Sequence, residues 1–482
     1  MSEHGVLVVN PLPWERELGG RVPVHAVEPR GTPEDPTAGR QFADRHAAAR
    51  SGERYWVGPV TVPGFGYRVV PAGDIEAAGD REFDERSTVK AGGQQVTFDR
   101  ETGGVAAWRV DGREWVDRDA DYPLGGFVHE EVADRGTDWA RDLLFRTDDG
   151  TVERALRTDY ETRGWQPDWH ARRRGATRVT RHRVRETPLG VEAEQHIDAP
   201  GVEDAVLRFR PRGGELVVEA EWSMTRETHP EATYLAFPFD VADPTRRVDV
   251  GGQAVVAGRD QLGRSCHDYY TAQRWADVSG ADGGVTVGTP LNPLVQFGEF
   301  SFGANRADPA PGGLLLGWVT NNYWETNFRA SQPGRVRARY HLRPHGGFKE
   351  AAAHRHGLAA AHADPLVATL AEPADGALPR SGSLLDLPDP PVLVLQVRPA
   401  DAPAPGDRFL DADAGGDGLC VLLKNASDDP REATVGSGLL RVDTAERTGV
   451  LGGTGEPLGV ADGTAAVELD PRETAMVVLR VE

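Results

Sequence analysis

The sequence predicts an all-β protein with one short helical connector, and three observations lead there. Short segments of alternating polarity recur, as in Glu215-Leu216-Val217-Val218-Glu219-Ala220-Glu221-Trp222, Leu314 to Val319 and Val336 to Leu342. A period of two puts one set of side chains on a core face and the other in water. Glycine and proline, at 57 and 35 residues, break the chain too often for long helices. Helical periodicity is confined to Lys349 to Leu370, an alanine-rich stretch interrupted at Pro365.

The elements follow in order. Val6-Leu7-Val8-Val9-Asn10-Pro11-Leu12 reads as a strand entering a turn, because Pro11 and Pro13 cannot donate to a ladder. Val60 to Val70 supplies a further strand pair. Between them, Pro29 to Gly52 is polar, charged and rich in small residues, the composition of an exposed insertion. Ala72 to Glu85 is an acidic linker, and a long β region follows it. Glu372 to Pro391 carries Pro373, Pro379, Pro388, Pro390 and Pro391 and reads as a second linker. Val392 to Glu482 has the length of one sandwich. A chain of 482 residues suggests about three domains. We place them at 1–78, 79–370 and 392–482, with 371–391 as the proline-rich linker.

Composition excludes several classes. The formal net charge is −21, from 75 acidic and 54 basic residues, and only Lys90, Lys349 and Lys424 are lysine. An acidic surface repels a phosphate backbone, so nucleic acid is not expected as a partner. The acidic surplus with arginine replacing lysine suits a halophilic protein, where salt screens self-repulsion. Cys266 and Cys420 are far apart and outside any CxxC pair, so neither a disulfide framework nor a zinc ribbon is indicated. No run approaches the ~18 apolar residues of a membrane span, and the first residues have no signal-peptide pattern. A soluble, cytoplasmic chain is the expectation.

One segment stands apart. Trp318-Val319-Thr320-Asn321-Asn322-Tyr323-Trp324-Glu325-Thr326-Asn327-Phe328-Arg329 crowds amides, aromatic rings, a carboxylate and a guanidinium together. Such groups are costly to bury unpaired, and aromatic faces beside planar amides suit a sugar-contacting or interdomain surface. The run through Gly334 closely resembles a segment in the C-terminal half of glycoside hydrolase family 38, the zinc-dependent α-mannosidases.

Other stretches resemble that half in the same order. Val8 to Arg16 is similar to an N-P-L-S-W-x-R opening, and Val62 to Tyr67 to a V-P-x-x-G-Y strand. Asp99 to Val105 resembles a D-x-x-T-G-G-I turn, and Tyr234 to Phe239 a Y-x-A-F-P-F strand. Gln273 to Val278 and Asp417 to Ser427 resemble two further segments. The resemblance implies a large galactose-mutarotase-like β super-sandwich flanked by two smaller β-sandwiches. In that family the nucleophilic aspartate and most zinc ligands lie in an N-terminal α/β domain, followed by a helical domain. Those residues lie in His-x-Asp and related motifs; neither such a motif nor βα alternation is expected here, so the resemblance carries over no catalytic residue and no metal ligand. Zinc is expected only in a separate catalytic domain.

The candidate substrate-binding or interdomain residues are therefore Asn321, Asn322, Trp324, Glu325, Asn327 and Arg329. Their alternative role is structural, capping strands and filling core. His267 and Asp268, beside Cys266, read as a turn, since zinc needs three or four converging ligands. His354 and His356 are two apart and do not share a helix face. The basic run from His170 to Arg185 could anchor an acidic partner chain, but ion pairs within the chain are the simpler account. The expected function is the non-catalytic C-terminal portion of an α-mannosidase-like hydrolase, in mannose or glycan metabolism, working with a separate catalytic polypeptide. The alternatives are a free-standing carbohydrate-binding protein and an independent mutarotase-like epimerase. The epimerase would need a histidine and a carboxylate converging in a cleft.

Overall fold

The computed structural model describes residues 5–23, 54–71, 74–77, 82–134, 170–262, 265–300, 311–322, 331–370, 379–400, 418–437, 439–449 and 455–481. The insertion expected at 29–52 lies outside the described residues, as do parts of both linkers. Strands dominate, and the one helix among the described residues is Glu350–Ala361. The chain divides into two compact units: Glu82–Lys349, and Met1–Arg81 together with Glu350–Glu482.

The Glu82–Lys349 unit is a sandwich of two large antiparallel sheets. One has six strands, in the order His170–Gly175, Gly126–Asp134, Glu231–Pro238, Leu314–Asn321, Leu294–Phe297 and Tyr270–Thr271. The other has nine, from Arg178–Thr187 through Gly190–Asp198, Val202–Arg212, Glu215–Met224 and Gly334–His345 to Gly283–Gly288, Trp275–Gly280, Thr245–Val250 and Gln253–Val256. Period-two alternation builds the interior. Phe127, Leu235, Phe237 and Leu315 from the first sheet share one core with Leu207, Phe209, Trp222 and Tyr340 from the second. The Asp99–Val105 motif is a tight turn: the Asp99 carboxylate accepts the amides of Glu101 and Thr102 at 2.7 and 2.8 Å. Gly104 sits there at φ 108°, where a Cβ would meet the Leu124 carbonyl at 3.0 Å, so only glycine fits without strain.

The outward side of the nine-stranded sheet is a lattice of charge that alternates strand by strand. Arg183 and Arg208 flank Glu194, with Arg208 at 2.9 Å. Arg185 and Arg210 flank Glu192, and Arg210 and Arg339 flank Glu219, the last pair at 2.7 Å. Arg335, Arg337 and Arg208 surround Glu221. Cross-strand pairing of opposite charges is the sheet counterpart of helix ion pairs. Arg173, Arg174, Arg178, Arg183 and Arg185 of the basic run all have carboxylate partners within the unit.

The second unit is built of smaller sheets, while a further four-stranded sheet, Thr88–Ala91 to Arg113–Glu114, belongs to the first. Gly5–Asn10 pairs with Gly66–Pro71 on one side and Leu366–Leu370 on the other. Val8, Leu18, Val22, Val57, Val62 and Val70 form the local core. The C-terminal part has a five-stranded and a three-stranded sheet around Val392, Val421, Val435, Val467 and Leu479. Two expectations change here. The helix ends at Ala361, and Leu366–Leu370 is a strand, because beyond Pro365 the apolar run finds the open edge of Gly5–Asn10. The expected boundary at residue 370 gives way to one at the start of the helix, since helix and strand both group with the N-terminal segment.

Asn10, in the N-P-L motif, ties two matched segments together. Its side-chain oxygen accepts the Leu12 amide at 3.1 Å, and its nitrogen donates to the carbonyls of Trp14 and Pro63 at 2.7 and 2.9 Å.

Candidate functional site

Asn321 and Asn322 close the Leu314–Asn321 strand, and the neighbouring strand begins at Glu231. Asn321 pairs in register with Ala232. The Asn322 side-chain oxygen accepts the Glu231 amide at 2.6 Å, and the Asn322 amide donates to the Glu231 carbonyl at 3.1 Å. The Asn322 side-chain nitrogen donates to the carbonyls of His229 and Glu227 at 2.9 and 3.3 Å. Ser331 Oγ accepts the Glu227 amide at 3.1 Å. Asn322, 5% exposed, thus commits its amide to the backbone of residues 227–231. Trp324, Glu325, Asn327 and Arg329 lie outside the described residues.

Asn322→Ala removes the acceptor for a buried amide and the donor to two carbonyls. We expect a loss of about 2 kcal/mol, with faster exchange of the Glu231 amide as the local readout. Unchanged exchange there would contradict the clamp.

Beside this corner, His129 Nε2 lies 2.9 Å from Glu231 Oε2, with both side chains buried. On the opposite face of the same sheet, Tyr234 Oη donates to Glu130 Oε1 at 3.1 Å, and Arg173 pairs with Glu130. The Tyr234 and Trp318 rings stack at 5.8 Å, Tyr269 meets Trp318 edge-on at 5.4 Å, and Arg173 lies 4.4 Å over Phe300. On the nine-stranded sheet, Asp277 is fully buried. It accepts Ser279 Oγ at 2.6 Å and Thr286 Oγ1 at 2.9 Å, and lies 2.8 Å from His345 Nε2. These His–carboxylate pairs escaped the sequence reading because their members are 102 and 68 residues apart. An acid and a base that act on one sugar ring must leave room for it between them, and these pairs are in direct contact.

The expectation that the sequence holds no His-x-Asp triplet is wrong, since two are present. In one, His196 lies 2.9 Å from Glu194 and Asp198 pairs with Arg178 at 2.6 Å, both on the charge lattice. The other, His362-Ala363-Asp364, follows the helix. His354 and His356 are buried on that helix. Among the described residues, no group of three or more His, Cys, Asp or Glu could hold a metal ion.

Fold and site together define a class: a multi-sheet β protein in which Asn10, Asp99 and Asn322 hold turns and strand ends. No protein-family profile matches the sequence, and no curated protein does. Among solved structures the fold is similar to an alpha-mannosidase from Enterococcus faecalis V583, at 12% identity and TM-score 0.58. That match covers 100% of this chain and 56% of the other. It is likewise similar to a protein in glycosyl hydrolase family 38 from Enterococcus faecalis, at 13% identity and TM-score 0.58, covering 100% and 58%. A galactose mutarotase related enzyme from Lactobacillus acidophilus matches 54% of this chain at TM-score 0.29, too low to carry an argument. The chain therefore has the fold of one portion of these hydrolases and spans less than two thirds of their length.

Proposed function

We propose that this chain is the non-catalytic β portion of an α-mannosidase-like glycoside hydrolase and works with a catalytic portion. The observation that carries this reading is the coverage: all of this chain aligns with 56% and 58% of two such proteins. Zinc and the catalytic carboxyl groups would belong to the catalytic portion. This chain would supply a rigid scaffold and, at the Asn321–Asn322 corner, a wall beside the sugar entrance. The acidic composition suits work in a salty cytoplasm. Among the described residues no helix is long and apolar enough to cross a membrane.

A free-standing carbohydrate-binding protein would present an aromatic platform to solvent. Among the described residues every tryptophan is buried or half-buried. The test is hydrolysis of an aryl α-mannoside, in high salt with zinc, by the purified chain before and after adding candidate catalytic portions from the same cell. We expect no turnover alone and turnover on mixing. Turnover by the chain alone would overturn the assignment, as would silence with every candidate portion.

A further inference from the structure

We propose that the outer face of the nine-stranded sheet binds an acidic polysaccharide, whose carboxylates meet the surplus guanidinium groups of the charge lattice. The choice of a glycan rests on the reading of the chain as part of a carbohydrate-active protein.

In the ion pairs described above, seven arginines converge on four glutamates. The lattice therefore carries excess positive charge in a chain whose net charge is −21. The surplus is most open around Glu221, which three guanidinium groups share. There the Arg335 and Arg337 side chains are 69% and 64% exposed, while Glu221 is only 13% exposed. Arg181 and Arg212 extend the face, and among the described residues neither has a carboxylate partner; Arg181 is exposed.

A guanidinium fork matches a carboxylate in geometry as well as charge. From the Arg178–Thr187 strand to the Gly334–His345 strand, the outward positions are charged or polar apart from Val206 and Val217. Such a face lacks the apolar centre that a stable protein interface is built around. An extended, hydrated polyanion needs none, because its affinity comes from charge neutralisation and counterion release. The acidity of the rest of the chain would repel the same polyanion elsewhere, which directs it to this face.

The test is native electrophoresis of the full chain through gels containing polygalacturonate, with neutral mannan, polyglutamate and duplex DNA as comparators. We expect retardation by polygalacturonate that weakens about tenfold or more between roughly 50 and 200 mM salt, and none by mannan. The double variant Arg335→Gln/Arg337→Gln should bind about tenfold more weakly while still unfolding in a cooperative thermal transition. Arg441→Gln, a change at a residue 76% exposed in the other unit, should bind like the parent. The proposal is overturned if the parent is not retarded, or if the double variant is retarded equally. Equal retardation by polyglutamate or DNA would also overturn it, by replacing a glycan with another polyanion. These outcomes are independent of the mannoside assay, whose failure would leave polygalacturonate binding measurable.

Discussion

Glu194→Gln should lower the unfolding free energy by about 3 kcal/mol. Glu194 is 6% exposed and takes the guanidinium groups of Arg183 and Arg208 and the His196 ring. Glutamine keeps the shape and removes the charge, leaving two arginines of a half-buried lattice without their shared carboxylate. Urea denaturation at neutral pH checks the size of the loss, and a change under about 0.5 kcal/mol, the range of ordinary surface substitutions, would show the lattice to be decorative.

The same carboxylates set the acid limit. Burial pushes the Glu194 carboxyl up, but Arg208, the His196 hydrogen bond and Arg183 pull it down further, from 4.5 to about 2. Glu219 behaves alike: burial raises it, and Arg210 with Arg339 brings it to about 2. A depressed carboxylate stabilises the fold fully above its unfolded value. The contribution is then lost as pH falls from about 4.5 toward 2. Stability should drop steeply across that window in the parent and less steeply in Glu194→Gln. Parallel profiles would mean that other groups govern acid unfolding.

Trp222→Ala should cost about 3–5 kcal/mol. The Trp222 side chain is 1% exposed and meets Phe127 edge-on at 5.2 Å, so it joins the two sheets of the sandwich. Its removal leaves a cavity that strands pinned by ladders on both sides cannot close. Calorimetry should show the transition of the Glu82–Lys349 unit moving down by several degrees while that of the other unit stays in place. If both transitions shift together, the two units do not unfold independently.

Much of the fold was legible in the sequence, for local reasons. Alternation marks Glu215–Met224 and Gly334–His345 as strands because a pleated strand sends successive side chains to opposite faces. The Asp99–Gly104 turn was legible because its aspartate and glycines act on their own backbone. Leu366–Leu370 was misread as the end of the helix. Its state depends on pairing with Gly5–Asn10, more than 350 residues earlier, and nothing nearby in sequence records that.

The crowding of amides near residue 321 was visible as a cost, but its resolution was not. A buried asparagine announces that it needs partners; whether they are sugar hydroxyls or backbone amides depends on what the fold brings beside it. For Asn10 and Asn322, and for Asn425, which donates to the Asp429 and Asp470 carbonyls at 2.8 and 3.0 Å, the fold supplied backbone. The sequence by itself determined the β content, the turns and the sign of the charge along each strand, since these follow from residue type and spacing. Only the tertiary structure decided which charges and amides meet. Ion pairs and hydrogen bonds act over a few ångströms between strands distant in sequence, so the arginines became a lattice only once their strands lay side by side.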